Sequence, residues 1–423
     1  MNVERAAYQE MLRKRPLNVQ AAYGGEPVGL VSGRDVFGAA KKAGAIVLAA
    51  NARNPLTIKG VLRAAKKLDA AVVLELAKSE STYCASTFEN MVDYAVRYSA
   101  ELGHGVLFAL HMDHYAVKSH DDLLKSIAQI RMAMEKGWTS VAIDASHSPD
   151  WENLCFTRDV AMHIPPYIGL EVEVGEIKGA GEVSTPEEAL FFVGGLNAWG
   201  VFPDLLAISN GSLHGTYDPT MGQVEGIDLE ATKAIADAIA PYGVSIAQHG
   251  ISGTPLGKCS LFTRYGINKG NVATLFQNVL FGLKMDPETG NAVTEEGSYV
   301  KEVDRGIPVE LWERIVAWAD EKGYSRKSGD YKKANKPFGD EILALPQPVQ
   351  DRIVDETEAW AEKFIKAFKA EGTAEAVLDL MATRADHNCA PERKILHDRS
   401  EFTPEKAPDY HVGPLADGKD YSD

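Results

Sequence analysis

Residues able to do chemistry recur in this chain at the ends of apolar runs. Leu110-His111-Met112-Asp113-His114 closes the run Gly105-Val106-Leu107-Phe108-Ala109-Leu110 with a carboxylate and two imidazoles. Asp144, Glu171 and Glu173 end or interrupt later runs. Three polar segments follow: Asn210-Gly211-Ser212-Leu213-His214-Gly215, His249-Gly250-Ile251-Ser252-Gly253 and Lys269-Gly270-Asn271-Val272-Ala273-Thr274. His114, His214 and His249, with carboxylates between them, can form a metal site. Zinc accepts imidazole nitrogen readily, and a catalytic site keeps one position open for water or substrate. Glycines beside His214 and His249 let backbone approach a ligand closely. With Ser252, Asn271 and Thr274 they suit a phosphate held by amides and hydroxyls.

Each piece alone has an ordinary explanation. A single histidine at a strand end is usually a hydrogen-bonded structural residue, and His104, His111, His120, His147 and His163 are read that way. Glu171 and Glu173 lie two apart on a strand and so point the same way. Glu75 reads as a polar residue lining an interior. Only convergence on one edge would lift these residues above that level.

The elements that would position them alternate regularly. Short apolar runs predict strands at 45–50, 70–76, 106–111, 139–144, 168–174, 205–209, 244–248 and 266–269. Helical spacing predicts helices at 56–68, 88–102, 121–136, within 151–163, and at 186–196, 229–240, 256–265 and 272–283. Strand–helix units in this number, over about 240 residues, are the rhythm of a (β/α)₈ TIM barrel. A doubly wound open sheet is the alternative, and the count favours the barrel. In either fold the polar groups fall at the carboxyl ends of strands, where α/β proteins do their chemistry. The expected organisation is an N-terminal helical and turn segment over 1–40, a catalytic barrel over 41–290, and a helical C-terminal extension with an extended tail over 291–423. Within that extension a helix is expected at 308–322, then a basic, turn-rich stretch at 325–333. Ile353, Trp360, Phe364 and Phe368 form an apolar stripe at helical spacing, suited to packing on the barrel or on a second subunit.

Composition narrows the partners. Across 423 residues the chain is 45% apolar and 25% charged, with a net charge of −16 and no long basic run, which argues against nucleic acid. Its apolar runs are too short to span a bilayer. Cys84, Cys155, Cys259 and Cys389 share no CxxC spacing, and the N-terminal residues do not read as a secretory leader. Both features lead us to expect a reducing, cytoplasmic setting.

Together the motifs resemble the class II, metal-dependent fructose-bisphosphate aldolases. The resemblance rests on His-Met-Asp-His at 111–114, Ile-Asp-Ala-Ser-His at 143–147, Glu-Val-Glu-Val-Gly at 171–175, Asn-Gly-Ser-Leu-His-Gly at 210–215, Gln-His-Gly-Ile-Ser-Gly at 248–253 and Lys-Gly-Asn-Val-Ala-Thr at 269–274. It spans roughly Ala45 to Leu283 in the family's order. It implies His114, His214 and His249 as ligands of a catalytic zinc ion. Asp113 would be the acid/base residue, and Asp144 and Glu173 ligands of a second or alternative metal position, with a monovalent cation as a further possible guest. Gly215, Gly250, Ser252, Asn271 and Thr274 would cradle dihydroxyacetone phosphate, and Asn51 would contact substrate. The second acid/base residue sits in the family on the loop after the fifth strand, here 176–184, where Glu182 is the better match and Glu176 the rival. That loop is shorter than in many relatives.

The implied reaction is reversible cleavage of fructose 1,6-bisphosphate to dihydroxyacetone phosphate and glyceraldehyde 3-phosphate, a step of glycolysis and gluconeogenesis. A zinc ion would act as electron sink in place of a Schiff-base lysine. The family setting implies a homo-oligomer, dimer or tetramer. Arg326 or a nearby lysine in the basic stretch could meet the second phosphate, from the same or a neighbouring subunit, although a solvated loop is the plainer reading. The rival readings are an aldolase for another ketose bisphosphate such as tagatose 1,6-bisphosphate, a non-catalytic barrel subunit, and a zinc hydrolase on the same barrel.

Overall fold

The computed structural model describes residues 1–175, 183–211, 227–324, 329–384 and 392–408. The apolar runs become strands buried on both faces, packed inside against one another and outside against helices. They are β1 (Val47–Asn51), β2 (Ala71–Ala77), β3 (Leu107–Ala116), β4 (Ser140–Asp144), β5 (Gly169–Val174), β6 (Leu205–Ile208), β7 (Ser245–Gln248) and β8 (Ile267–Val272). All neighbours run parallel in sequence order, and β8 pairs back onto β1, with Val47 opposite Lys269 and Ala49 opposite Asn271. The fold is therefore the closed (β/α)₈ barrel, and the open sheet is excluded.

Helix starts follow local chemistry. Asn54 accepts from the Leu56 amide to cap Pro55–Lys67, and Ser119 accepts from Asp122 to cap His120–Glu135. Thr185 and Glu188 form a reciprocal capping box on Pro186–Ala198, where Pro186 occupies a position whose amide would be unpaired anyway.

Two departures from the expected elements matter for the site. Strand β3 does not stop at His111 but continues through Asp113 and His114 to Ala116. Its register against β4 shifts between Met112 and Tyr115, and His114 adopts a left-handed φ of 41°. On a regular strand adjacent residues face opposite sides. The irregularity re-aims the backbone so that Asp113 and His114 both reach the interior. Strand β8 likewise extends to Val272, which places Asn271 on the strand. The helix expected over 256–265 is a short turn, Leu256–Cys259, followed by the 3₁₀ segment Phe262–Tyr265.

The amino-terminal end of the barrel is sealed. The Val31 amide donates to Phe108 O at 2.9 Å, and helix Gly33–Ala43, capped by Ser32, lies across the strand starts. The long C-terminal helix Gln347–Ala367 buries Ile353, Trp360 and Phe364 along one side and packs against Pro55–Lys67. That approach needs Gly60, because a Cβ there would lie 2.6 Å from the Thr357 side chain. The apolar stripe is thus covered by the barrel's own helices. A further helix, Thr373–Ala382, was not anticipated. It buries Ala374, Val377, Leu378 and Met381, and Thr373 Oγ1 accepts from the Ala71 amide at 3.0 Å. Among the described residues no helix is long and apolar enough to cross a membrane.

Candidate metal centre and active site

The carboxyl ends of β3, β4, β5 and β7 bring imidazoles and carboxylates into one mouth. His114 Nδ1 lies 3.0 Å from Glu173 Oε2 and 3.9 Å from Asp144 Oδ2. The His114 and His249 rings stand edge to face, with centroids 4.4 Å apart. Asp113, His114 and His249 can present ligand atoms within 4.8 Å of one another, and so can His114, Asp144 and Glu173. Supporting contacts fix the carboxylates: Ser146 donates to Asp144 from both its hydroxyl (2.6 Å) and its amide (3.0 Å). Glu173 Oε1 is buried with no hydrogen-bond partner among the described residues. Buried nitrogen and oxygen donors with an unused oxygen fit a divalent cation of the zinc type.

Electrostatics point the same way. Burial pushes the His114 imidazole down, but Glu173 and Asp113 outweigh it and hold it well above the ordinary histidine value. Burial and the Asp144 charge push Glu173 up. The close His114–Glu173 pair therefore retains a proton, positive charge that a metal would supply in its stead. Burial also opposes ionisation of Asp113, yet His114 and Lys269 keep its carboxyl well below the usual range.

A second layer lies beneath the mouth. Lys269, fully buried on β8, places Nζ 2.8 Å from Glu171 Oε2, 3.1 Å from Glu75 Oε2 and 3.6 Å from Asp113 Oδ1. Glu171 Oε1 is 3.0 Å from His249 Nε2. His111 is fully buried: its Nδ1 meets Ser140 Oγ at 2.8 Å, and its Nε2 faces Glu171 at 3.5 Å and Asp113 at 3.7 Å. His111 is thus structural in its Ser140 contact yet part of the charged layer. Glu75 lines the interior as read from the sequence. Glu171 and Glu173 do share an inward face, but at different depths and with different partners. No role for Lys269 was read from the sequence, although two-residue periodicity puts it on the same face as Asn271.

The substrate candidates surround the same mouth. Asn271 Nδ2 donates to both oxygens of Asp113 at 3.3 Å. Ser252 Oγ accepts from the Leu275 amide at 3.4 Å, and Thr274 is the first residue of helix Thr274–Phe281. Gly250 has φ 65°, which favours glycine. Asn51 Nδ2 donates to Glu80 Oε2 at 2.6 Å, and the other Glu80 oxygen takes Arg53 Nε at 2.5 Å. Glu80 and Arg53 were not singled out in the sequence, since neither ends an apolar run. His214, Gly215, Glu176, Glu182 and Arg326 lie outside the described residues.

Comparison with known proteins agrees with this geometry. Residues 31–315 match the family model described as fructose-bisphosphate aldolase class-II. A fructose-bisphosphate aldolase of Streptococcus pyogenes is 30% identical over 259 residues, covering 58% of this chain and 79% of that protein. One from Giardia intestinalis is 27% identical over 241 residues, covering 55% and 68%. Two solved structures share the fold: the YdjI aldolase of Escherichia coli K12 (TM-score 0.52, 18% identity, 82% of this chain and 99% of that one) and a fructose-bisphosphate aldolase of Campylobacter jejuni (TM-score 0.50, 17% identity, 82% and 97%). A family match over most of the barrel, on a fold whose mouth gathers ligand-capable side chains, means that this chain belongs to the class II fructose-bisphosphate aldolases, a generally metal-dependent family of aldolase lyases acting on sugar phosphates.

Proposed function

We propose that the chain reversibly cleaves fructose 1,6-bisphosphate to dihydroxyacetone phosphate and glyceraldehyde 3-phosphate with a zinc ion at the barrel mouth. The observation that carries this reading is the meeting of Asp113, His249, Asp144 and Glu173 around His114 in one buried mouth. His114 and His249, with His214, would hold the ion, and Asp144 and Glu173 would serve a second or alternative position. When bound, zinc supplies Lewis acidity toward the ketose oxygens, where negative charge develops as the C3–C4 bond breaks.

Asp113 takes the proton of the C4 hydroxyl in cleavage and returns it in condensation. It is suited to this because His114 and Lys269 keep it ionised while Asn271 holds both its oxygens. Glu182 is assigned the proton at C3 of the triose. Gly215, Gly250 and Ser252, with Asn271 and Thr274 at the start of helix Thr274–Phe281, form the phosphate cradle, where a helix start favours an anion. Asn51, oriented by Glu80, contacts the sugar. A homo-oligomeric cytoplasmic enzyme completes the proposal.

The test is triose-phosphate release from fructose 1,6-bisphosphate before chelation, after EDTA, and after zinc is restored. Loss and recovery are expected. Activity that survives thorough metal removal overturns the mechanism. Faster turnover of tagatose 1,6-bisphosphate would keep the mechanism and change the sugar.

A further inference from the structure

We propose that Lys269 is a positioning residue that sets two working groups at once, holding the His249 imidazole through Glu171 and the Asp113 carboxylate directly. The proposal rests on the aldolase reading above and asks what keeps its groups in place. Lys269 Nζ donates to Glu171 Oε2 at 2.8 Å, and the other Glu171 oxygen lies 3.0 Å from His249 Nε2. A carboxylate fixed against one ring nitrogen decides which nitrogen carries the proton and so which one can ligate a metal. Along a separate line, Lys269 Nζ stands 3.6 Å from Asp113 Oδ1.

The side chain is badly placed for any other use. It is fully buried among Glu75, Asp113 and Glu171, whose charges outweigh burial and keep it protonated. An ammonium so enclosed has no free lone pair, which removes it as a Schiff-base nucleophile. It also answers a question posed by the inner layer. Glu75, His111 and Asp113 could themselves gather around a cation, but the ammonium already supplies positive charge there. A metal is thereby directed to the outer layer, beside His114 and His249.

The experiment measures zinc affinity of the substrate-free protein by competition with a fluorescent chelator. It compares wild type, Lys269→Met, Glu171→Gln and the double variant, each checked for folding by circular dichroism. Each single change is expected to weaken zinc by about 10–100-fold, as loss of a partner behind a ligand does. The double variant is expected to be no weaker than the worse single one, because the lysine reaches the metal site through Glu171. Lys269→Met should also lower kcat more than it raises KM. Affinity within twofold of wild type in Lys269→Met, or losses that multiply in the double variant, overturns the proposal.

Should Lys269→Met fail to fold, Lys269→Gln retains a donor to Glu171 and is expected to lose less affinity than Glu171→Gln. If it loses as much or more, the proposal fails. A wild type that binds no zinc removes the aldolase reading and this proposal together. A wild type that binds zinc and cleaves substrate, beside an equally tight Lys269→Met, removes this proposal alone.

Discussion

At and below its mouth the barrel buries Glu75, His111, Asp113, Glu171, Glu173 and Lys269, whereas the core beneath the C-terminal helices buries Phe281, Ile307, Leu311, Trp312, Ile315 and Ile353. Both regions are closed to water, and they hold together differently. In the apolar core each side chain adds transfer free energy and packing with little dependence on any one neighbour. In the barrel each charge is tolerable only because the others are there, and removing one leaves its partners buried and uncompensated. Such an arrangement is weak evidence for stability and strong evidence for a site. The comparison teaches that burial alone does not say what a residue is for. What matters is whether its polar atoms are satisfied within the fold or, like Glu173 Oε1, left for something else.

Breaking the barrel side should abolish function. Asp113→Asn is expected to lower kcat by about 10²–10⁴-fold, the range for loss of a general acid/base group. Zinc should stay bound while the melting temperature falls, because Lys269 and His114 lose a compensating charge, and full activity in a steady-state assay would remove Asp113 from the mechanism. The converse change is Ile315→Ala in the fully buried apolar core. It should cost about 2–5 kcal/mol by urea denaturation with kcat per folded molecule unchanged, and a large loss of kcat at full stability would erase the contrast.

Metal removal sharpens the same distinction. Zinc at a hundredfold excess over its Kd should stabilise the protein by about 2.7 kcal/mol through mass action. Added hydrogen-exchange protection should be concentrated at the ends of β3, β5 and β7. Equal protection of the C-terminal core would mean that the two regions are not energetically distinct.

The smallest effect is expected at the edge of the apolar core. Burial, reinforced by the Arg352 charge, pushes the Lys301 ammonium down to about 8. The unfolded chain would titrate this group near pH 10.4, so between those values the unfolded state binds more protons and stability rises with pH. The stability of wild type relative to Lys301→Met should therefore climb from pH 8 to pH 10. Parallel denaturation curves for the two proteins across that range would refute the assignment.

Much of this was legible along the chain. Period-two and period-3.6 patterns reflect which faces are buried, so the order of strands and helices and their closure into a barrel could be anticipated. The convergence of Asp113, His114, Asp144, Glu173 and His249 followed once strand ends were aligned. The helix Thr373–Ala382 is short and apolar over much of its length, so no clear stripe marks it, and its partner, helix Gly33–Ala43, lies far away in sequence.

Alone, the sequence determined the alternation of elements and the residue types delivered to the strand ends, because both depend on local spacing. Only the tertiary structure decided how adjacent Asp113 and His114 share one interior, since a β-bulge is a matter of pairing with β4. It also decided that Lys269 stands among three carboxylates drawn from β2, β3 and β5. An ammonium takes its meaning from the charges within a few ångströms of it, and those distances exist only once the barrel has closed.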